Sequence, residues 1–194
     1  MTNEEIAKSL KDMNKDAVLF LSSGDYEKAY KKFEEYLEKM MEYKFYDHAA
    51  KARVNMANTL YIMGRYKESL ECLKSSLKYF EEKKAVDLLN ENRIVEGNLY
   101  LQLDETEKLI ELSSKMIQST RSDRIKSIAY MFGIYADEKK GKVSIDSINQ
   151  AMSYAERSND KSVLKQALNI RADYYDKINR PLYATLDRDR IKQL

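Results

Sequence analysis

The side chains that most often carry out catalysis are scarce in this chain. His48 is its one histidine and Cys72 its one cysteine, which excludes a metal site with several histidines and an internal disulfide. The sequence contains no HExxH, no GxSxG and no glycine-rich phosphate loop, the short patterns that place a zinc ion, a serine nucleophile or a phosphate. We therefore expect no enzymatic activity, no metal and no cofactor.

Carboxylates and tyrosines are plentiful, but their spacing is that of helix surfaces. Paired glutamates at 34–35 and 81–82 fall on the charged side of helical patterns, where solvated side chains are expected. We expect His48 at the surface or in a first helical turn, and Cys72 as a small, partly buried hydrophobic residue. Most of the 15 tyrosines follow helical stripes, with the ring packed and the hydroxyl at the rim.

Apolar residues recur at helical spacing along the whole chain. In residues 26–41 they follow the i, i+3, i+4, i+7 pattern of one helix face, with Lys and Glu opposite. The periodicity predicts ten helices, over residues 3–22, 25–42, 46–63, 66–81, 84–103, 105–119, 122–139, 144–157, 160–178 and 181–193. Gly24 and Gly64 suit the left-handed conformation that ends a helix, and Pro181 suits a first turn.

The same pattern is written twice, 40 residues apart. Gly64 follows Gly24 at that distance, and Tyr66 follows Tyr26. A small residue also recurs in the first helix of each predicted pair, at Ala17, Ala57, Gly97, Gly133 and Ala172. Such a residue lets two helix axes approach closely. We therefore predict a single domain over residues 1–194 that consists of five helical hairpins, at 3–42, 46–81, 84–119, 122–157 and 160–193.

These hairpins resemble tetratricopeptide repeats, which carry a small residue and an aromatic in the first helix, Gly at the turn, and Tyr, Ala and an apolar residue in the second. The first repeat matches with Ala17, Phe20, Gly24, Tyr26, Ala29 and Phe33. The second matches with Ala57, Leu60, Gly64, Tyr66, Ser69 and Leu73. Later repeats keep fewer positions, and the chain has no Trp. The resemblance implies an all-α, right-handed α-solenoid of about five antiparallel helix pairs.

In the tetratricopeptide family the first helices line a concave groove, and the resemblance implies a peptide-binding groove here. The positions carried over are Asn14, Lys51, Asn55, Asn58, Asn98, Gln102 and Asn169. Val18, Ile62 and Asp173 fall on the same predicted faces. An asparagine amide offers donors and an acceptor to an extended peptide backbone. Ordinary solvation or a hydrogen bond between helices explains an asparagine on a helix equally well.

Charge and composition argue against several classes of binding partner. The 34 basic residues nearly balance the 32 acidic ones, which argues against a nucleic-acid-binding face. No run of 18 apolar residues occurs, so we expect no membrane span, and the single cysteine fits the reducing cytoplasm. Glu91 and Val95 stand where a clamp for a C-terminal carboxylate needs basic residues, which argues against that ligand.

Several functions remain open. The first is a non-catalytic protein–protein interaction module or scaffold that binds an extended peptide or helix of a partner protein. Lys11, Lys15 and Lys51 at one end, and acidic residues between 137 and 176 at the other, would orient such a peptide. The alternative is a self-assembling, homo-oligomeric solenoid that pairs through residues such as Leu182 of its C-terminal helix. A peptide-sensing regulatory subunit is the third.

Overall fold

A computed structural model describes the backbone of residues 3–194 and the side chains of residues 5–194. Ten α-helices and no β-strand are assigned within that range. The helices are α1 Asn3–Ser23, α2 Tyr26–Glu42, α3 Tyr46–Ile62, α4 Tyr66–Glu82, α5 Val86–Gln102, α6 Thr106–Ser119, α7 Asp123–Lys139, α8 Ile145–Ser158, α9 Lys161–Lys177 and α10 Pro181–Gln193. Each end lies within two residues of its predicted position, and the predicted all-α class is confirmed.

The chain divides into two compact units, Met1–Leu103 and Asp104–Leu194. In the N-terminal unit each helix from α1 to α5 packs against the next, and α3 also contacts α5. In the C-terminal unit the same holds from α6 to α10, and α7 also contacts α9. Because short turns join successive helices, neighbours run antiparallel. Each unit is therefore a helical repeat of solenoid type, in which an element contacts mainly its chain neighbours.

Three finer predictions are not tested by the structure and stay predictions. Two of them, the single domain over residues 1–194 and the repeat at 84–119, cross the boundary between the two units. The remaining one is the right-handed sense of the superhelix. Residues 1 and 2 of the predicted domain lie outside the described residues.

Small residues occupy the core where the repeat pattern puts them. Ala17 is fully buried and packs with Ala29, Phe33 and Met56 in one cluster of the N-terminal unit. Ala57 is likewise buried, in a neighbouring cluster. Alanine at these positions lets large side chains such as Phe33 fill the space between helices at the density of a close-packed interior.

Buried serine hydroxyls join adjacent helices. Ser69 Oγ on α4 donates to the Ala57 carbonyl oxygen on α3 at 2.6 Å, and Ser76 Oγ donates to the Ala50 carbonyl at 2.9 Å. In the C-terminal unit Ser113 Oγ on α6 donates to the Ala129 carbonyl on α7 at 2.7 Å. Each such bond contributes about 1 kcal/mol to stability, and it holds the two helices at a defined separation.

The helix ends follow a recurring turn. Gly24, Lys44, Gly64 and Lys84 all have positive φ, at 83°, 60°, 73° and 54°, and they lie 20 residues apart. After each of them, the next backbone N–H donates to a carbonyl five residues earlier; for Phe45 this acceptor is Met40, at 2.8 Å. This is the bond of a Schellman motif, which satisfies a carbonyl at the end of a helix. The 40-residue sequence repeat therefore contains two such turns.

Candidate functional site

Six of the seven residues predicted to bind peptide lie in the N-terminal unit. Asn14 is on α1, Lys51, Asn55 and Asn58 are on α3, and Asn98 and Gln102 are on α5. The contact between α3 and α5 brings two of these three helices side by side. The seventh residue, Asn169, lies on α9 of the C-terminal unit. The predicted set is therefore concentrated on the first helices of the N-terminal hairpins.

The amides of Asn58 and Asn98 are available to a ligand. Both residues are half-buried, and neither side chain hydrogen-bonds to any residue that the structure describes. Asn92, on the same helix as Asn98, differs: its Nδ2 donates to the Leu88 carbonyl at 2.7 Å. Lys51 is exposed and makes no ion pair within the described part of the chain. An amide without an internal partner keeps both its donor and its acceptor for an incoming backbone.

Apolar side chains accompany these amides. Val18 on α1 and Ile62 on α3 were both predicted to share the groove faces, and they are 46% and 50% exposed. Val95 on α5, at the position equivalent to Asn55 of α3, is less exposed and packs against the cluster around Leu99. In a peptide-binding surface, exposed apolar residues provide contact area and unpartnered amides provide hydrogen bonds, and both are present here.

A cleft of about 390 Å³ opens between α1, α2 and the start of α3. Its lining consists of Ala7, Leu10, Lys11, Asn14, Tyr36, Met40, Phe45 and His48. The sequence predicted a groove position only for Lys11 and Asn14. The sequence offers one further indication of this cleft, the dense run of aromatic residues at 43–48. Whether these rings line a cleft depends on how the turn at Lys44 is placed against α1, which the sequence does not specify.

A second cleft, of about 130 Å³, lies between α7 and α9 within the C-terminal unit. The predicted groove residues Asn169 and Asp173 line it, together with Tyr135, Glu138 and Lys177. The Glu138 carboxylate forms an ion pair with Lys177. Burial, and then the carboxylates of Glu138 and Asp173, raise the pKa of Tyr135. The lining of this cleft therefore contains two carboxylates, of which one is paired with a lysine of the same lining.

The cysteine and the histidine of the chain lie in different environments. Burial raises the pKa of the Cys72 thiol, and Cys72 Sγ donates to the Arg53 carbonyl at 3.4 Å. A thiol held in its protonated form is a poor nucleophile. His48 is exposed in the first turn of α3. Within the described residues no group of three His, Cys, Asp or Glu side chains is placed to hold a metal ion.

None of the described helices combines the length and the apolar composition needed to cross a membrane. Comparison with models of known protein families finds none that matches this chain. A search of curated proteins likewise finds no significant match. The case for a function therefore depends on the residues and surfaces of the chain itself.

Proposed function

We propose that this protein is a non-catalytic interaction module of the tetratricopeptide-like family. It binds an extended segment of a partner protein along α1, α3 and α5 of the N-terminal unit. One observation carries the proposal: Asn58 and Asn98 are equivalent in the repeat, lie on two helices in contact, and have side-chain amides without a partner among the described residues. Mid-helix asparagine is unfavourable for helix formation, so a role in binding gives a reason for its recurrence.

The spacing of the two asparagines suits a peptide backbone. Helices packed side by side have axes about 8–10 Å apart, and an extended chain advances about 3.3 Å per residue. Asn58 and Asn98 would therefore hold backbone groups about three residues apart. Lys51 and Gln102, at other turns of the same helices, are exposed and add a charge and a third amide to this surface.

Family and location belong to the same proposal. The two N-terminal hairpins carry the tetratricopeptide pattern, and the structure builds them as antiparallel helix pairs with that pattern's small residues in the core. A cytoplasmic location is consistent with a single cysteine whose thiol is partly buried. A peptide-sensing regulatory subunit would use the same surface and would meet the same test.

The test is affinity capture from a lysate of the cells that make the protein, with wild type beside an Asn58→Ala/Asn98→Ala variant. We expect wild type to retain a partner and the variant to lose it, with unchanged helix content and a thermal midpoint equal to or slightly above that of wild type. Asn92→Ala/Asn149→Ala is the matched control, because the Asn92 amide is already used within α5 and Asn149 is exposed on α8. A partner retained equally by both double variants contradicts the proposal.

A second function has one observation in its favour. On α10 the side chains of Leu182 and Leu186 are 70% and 58% exposed, and Tyr183 between them is also exposed. Large apolar side chains clustered on one exposed helix are typical of a contact surface, and a second copy of the chain is the self-assembly alternative. That function predicts a mass in solution that rises with concentration and a monomer for Leu182→Ser/Leu186→Ser. A constant monomer mass for wild type rules it out.

A further inference from the structure

The cleft between α1, α2 and α3 has an apolar floor and enough room for a large side chain. Leu10, Tyr36 and Met40 are buried members of a single core cluster and form its inner wall. Phe45 stands at its edge and is 46% exposed. The Phe45 ring meets the His48 ring edge-to-face, with centroids 6.4 Å apart. A half-exposed phenylalanine over a cavity of about 390 Å³ is a surface that a partner's apolar side chain can cover.

Among the lining residues that the structure describes, the rim of this cleft is positive or neutral. Lys11, Asn14, Tyr36 and His48 contribute the polar groups of that lining, and no carboxylate is among them. Lys51 lies one helical turn after His48 and is exposed. The nearest acidic residue on α3, Asp47, accepts a hydrogen bond from the hydroxyl of Tyr79 on α4 at 2.7 Å, so its carboxylate is engaged with another helix. The cleft of the C-terminal unit differs, because its lining contains the carboxylates of Glu138 and Asp173 as well as Lys177.

We propose that the cleft takes a large apolar side chain from an acidic segment of the partner protein, with an Asp or Glu of that segment paired to Lys11 or to Lys51. The inference deepens the proposed function and rests on it, because the segment would continue from the cleft along the face of α3 that carries Asn55 and Asn58. The proposed function does not say which residues the partner segment contains, and the cleft supplies that chemistry.

The geometry of an extended chain sets the pattern. Side chains two residues apart point to the same side, about 6.6 Å from each other. One turn of α3 separates His48 from Lys51, an axial rise of about 4.5 Å. An apolar side chain seated beside Phe45 and His48 therefore places the side chain two residues along within reach of a lysine. The preferred segment is a large apolar residue, any residue, and then Asp or Glu.

The probe is a peptide capped at both ends, acetyl-Gly-Ser-Phe-Ser-Glu-Ser-Gly-amide, titrated into the full chain. Since His48 is the only histidine, its ring protons report on this cleft by NMR without further assignment. We expect saturable shifts of the His48 signals. A peptide with Gln in place of Glu should bind about fivefold more weakly, the upper range for an exposed ion pair. A peptide with Ala in place of Phe should give no saturable shift.

Variants separate the charge from the cavity. Lys11→Met/Lys51→Met should remove the preference for Glu over Gln and leave Phe-dependent binding in place. Lys31→Met/Lys67→Met, two exposed lysines outside the cleft lining, is the matched control and should keep the preference. The proposal is wrong if the Glu and Gln peptides bind equally, if no peptide shifts the His48 signals, or if a peptide that ends in a free Phe carboxylate binds more tightly than the Glu peptide.

The outcome is separable from that of the proposed function. The Asn58→Ala/Asn98→Ala variant keeps every residue of the cleft, so it should bind the short peptide as wild type does. Loss of partner capture in that variant with unchanged peptide binding supports both proposals. The Asn58→Ala/Asn98→Ala variant could instead capture the partner as wild type does, while the His48 signals show tighter binding of the Glu peptide than of the Gln peptide. The cleft would then be the recognition site, and Asn58 and Asn98 would have no part in binding.

Discussion

At the scale of single residues, the close approach of α6 and α7 depends on a glycine that lies opposite a serine. Gly133 on α7 faces Ser113 on α6, and a methyl group added at Gly133 would lie 3.1 Å from Ser113 Oγ. That hydroxyl is already engaged, because it donates to the Ala129 carbonyl at 2.7 Å. The glycine therefore leaves room for a hydrogen bond between helices.

A double-mutant cycle tests this pairing. In wild type, Gly133→Ala gains about 1 kcal/mol of helix propensity and displaces the Ser113 hydroxyl, which costs about as much, so stability should barely change. In a Ser113→Ala background the hydroxyl is absent, and Gly133→Ala should stabilise by about 1 kcal/mol. Urea denaturation of the four proteins measures the coupling. Equal effects of Gly133→Ala in both backgrounds would show that the two residues do not interact.

At the scale of the element, most turns between successive helices contain a left-handed residue, and that residue is not always glycine. Lys44 and Lys84 take φ of 60° and 54°, at the positions where Gly24 and Gly64 stand in the other turns. A side chain in this region costs about 1–2 kcal/mol because its Cβ crowds the following carbonyl. The two lysines are therefore places where the turn geometry overrides local preference.

Lys84→Gly should raise the free energy of unfolding by about 0.5–1 kcal/mol, the relief of strain less the added entropy of the unfolded chain. The neighbouring Lys83 provides the control, because its φ of −76° is in the right-handed region. Lys83→Gly should destabilise, since glycine gains nothing there. Thermal or urea unfolding of the two variants measures the change in the free energy of unfolding. If both substitutions lower that free energy, the turn is not strained at Lys84.

At the scale of the whole molecule, helices that contact mainly their chain neighbours should respond locally to a mutation. The clearest case is in the C-terminal unit, where Arg171 on α9 forms two hydrogen bonds with Asp187 on α10, at 2.8 and 2.6 Å. Asp187 is buried, and its carboxylate raises the pKa of Arg171. This pair joins α10 to the rest of its unit.

Arg171→Met should destabilise the α9–α10 pair by about 3 kcal/mol, because it leaves the Asp187 carboxylate buried without its partner. Amide hydrogen exchange should accelerate in α9 and α10 and stay unchanged in α6. Arg171→Met/Asp187→Leu should recover most of the loss. The exposed pair of Arg188 with Asp176 is the control, and Arg188→Met should barely alter exchange. Uniform acceleration throughout the unit would contradict local response.

The sequence by itself determined the helices and their packing faces. Period-3.6 stripes and the glycines at 24 and 64 are local signals, so all ten helices were predicted with ends within two residues. The 40-residue offset also identified the small core residues such as Ala17 and Ala57. It placed the asparagines on their helices as well, because position on a helix follows from residue number alone. Their role as ligands stays a prediction.

Only the tertiary structure decided which side chains meet across helices. The left-handed lysines at 44 and 84 carry no local signal, because lysine rarely takes that conformation unless packing imposes it. The partners of Ser69 and Ser113 are carbonyls on other helices, which no spacing within one helix specifies. The cleft joins residues from α1, α2 and α3, and its shape depends on the relative positions of three helices. Such contacts arise from packing, and packing is a property of the assembled fold.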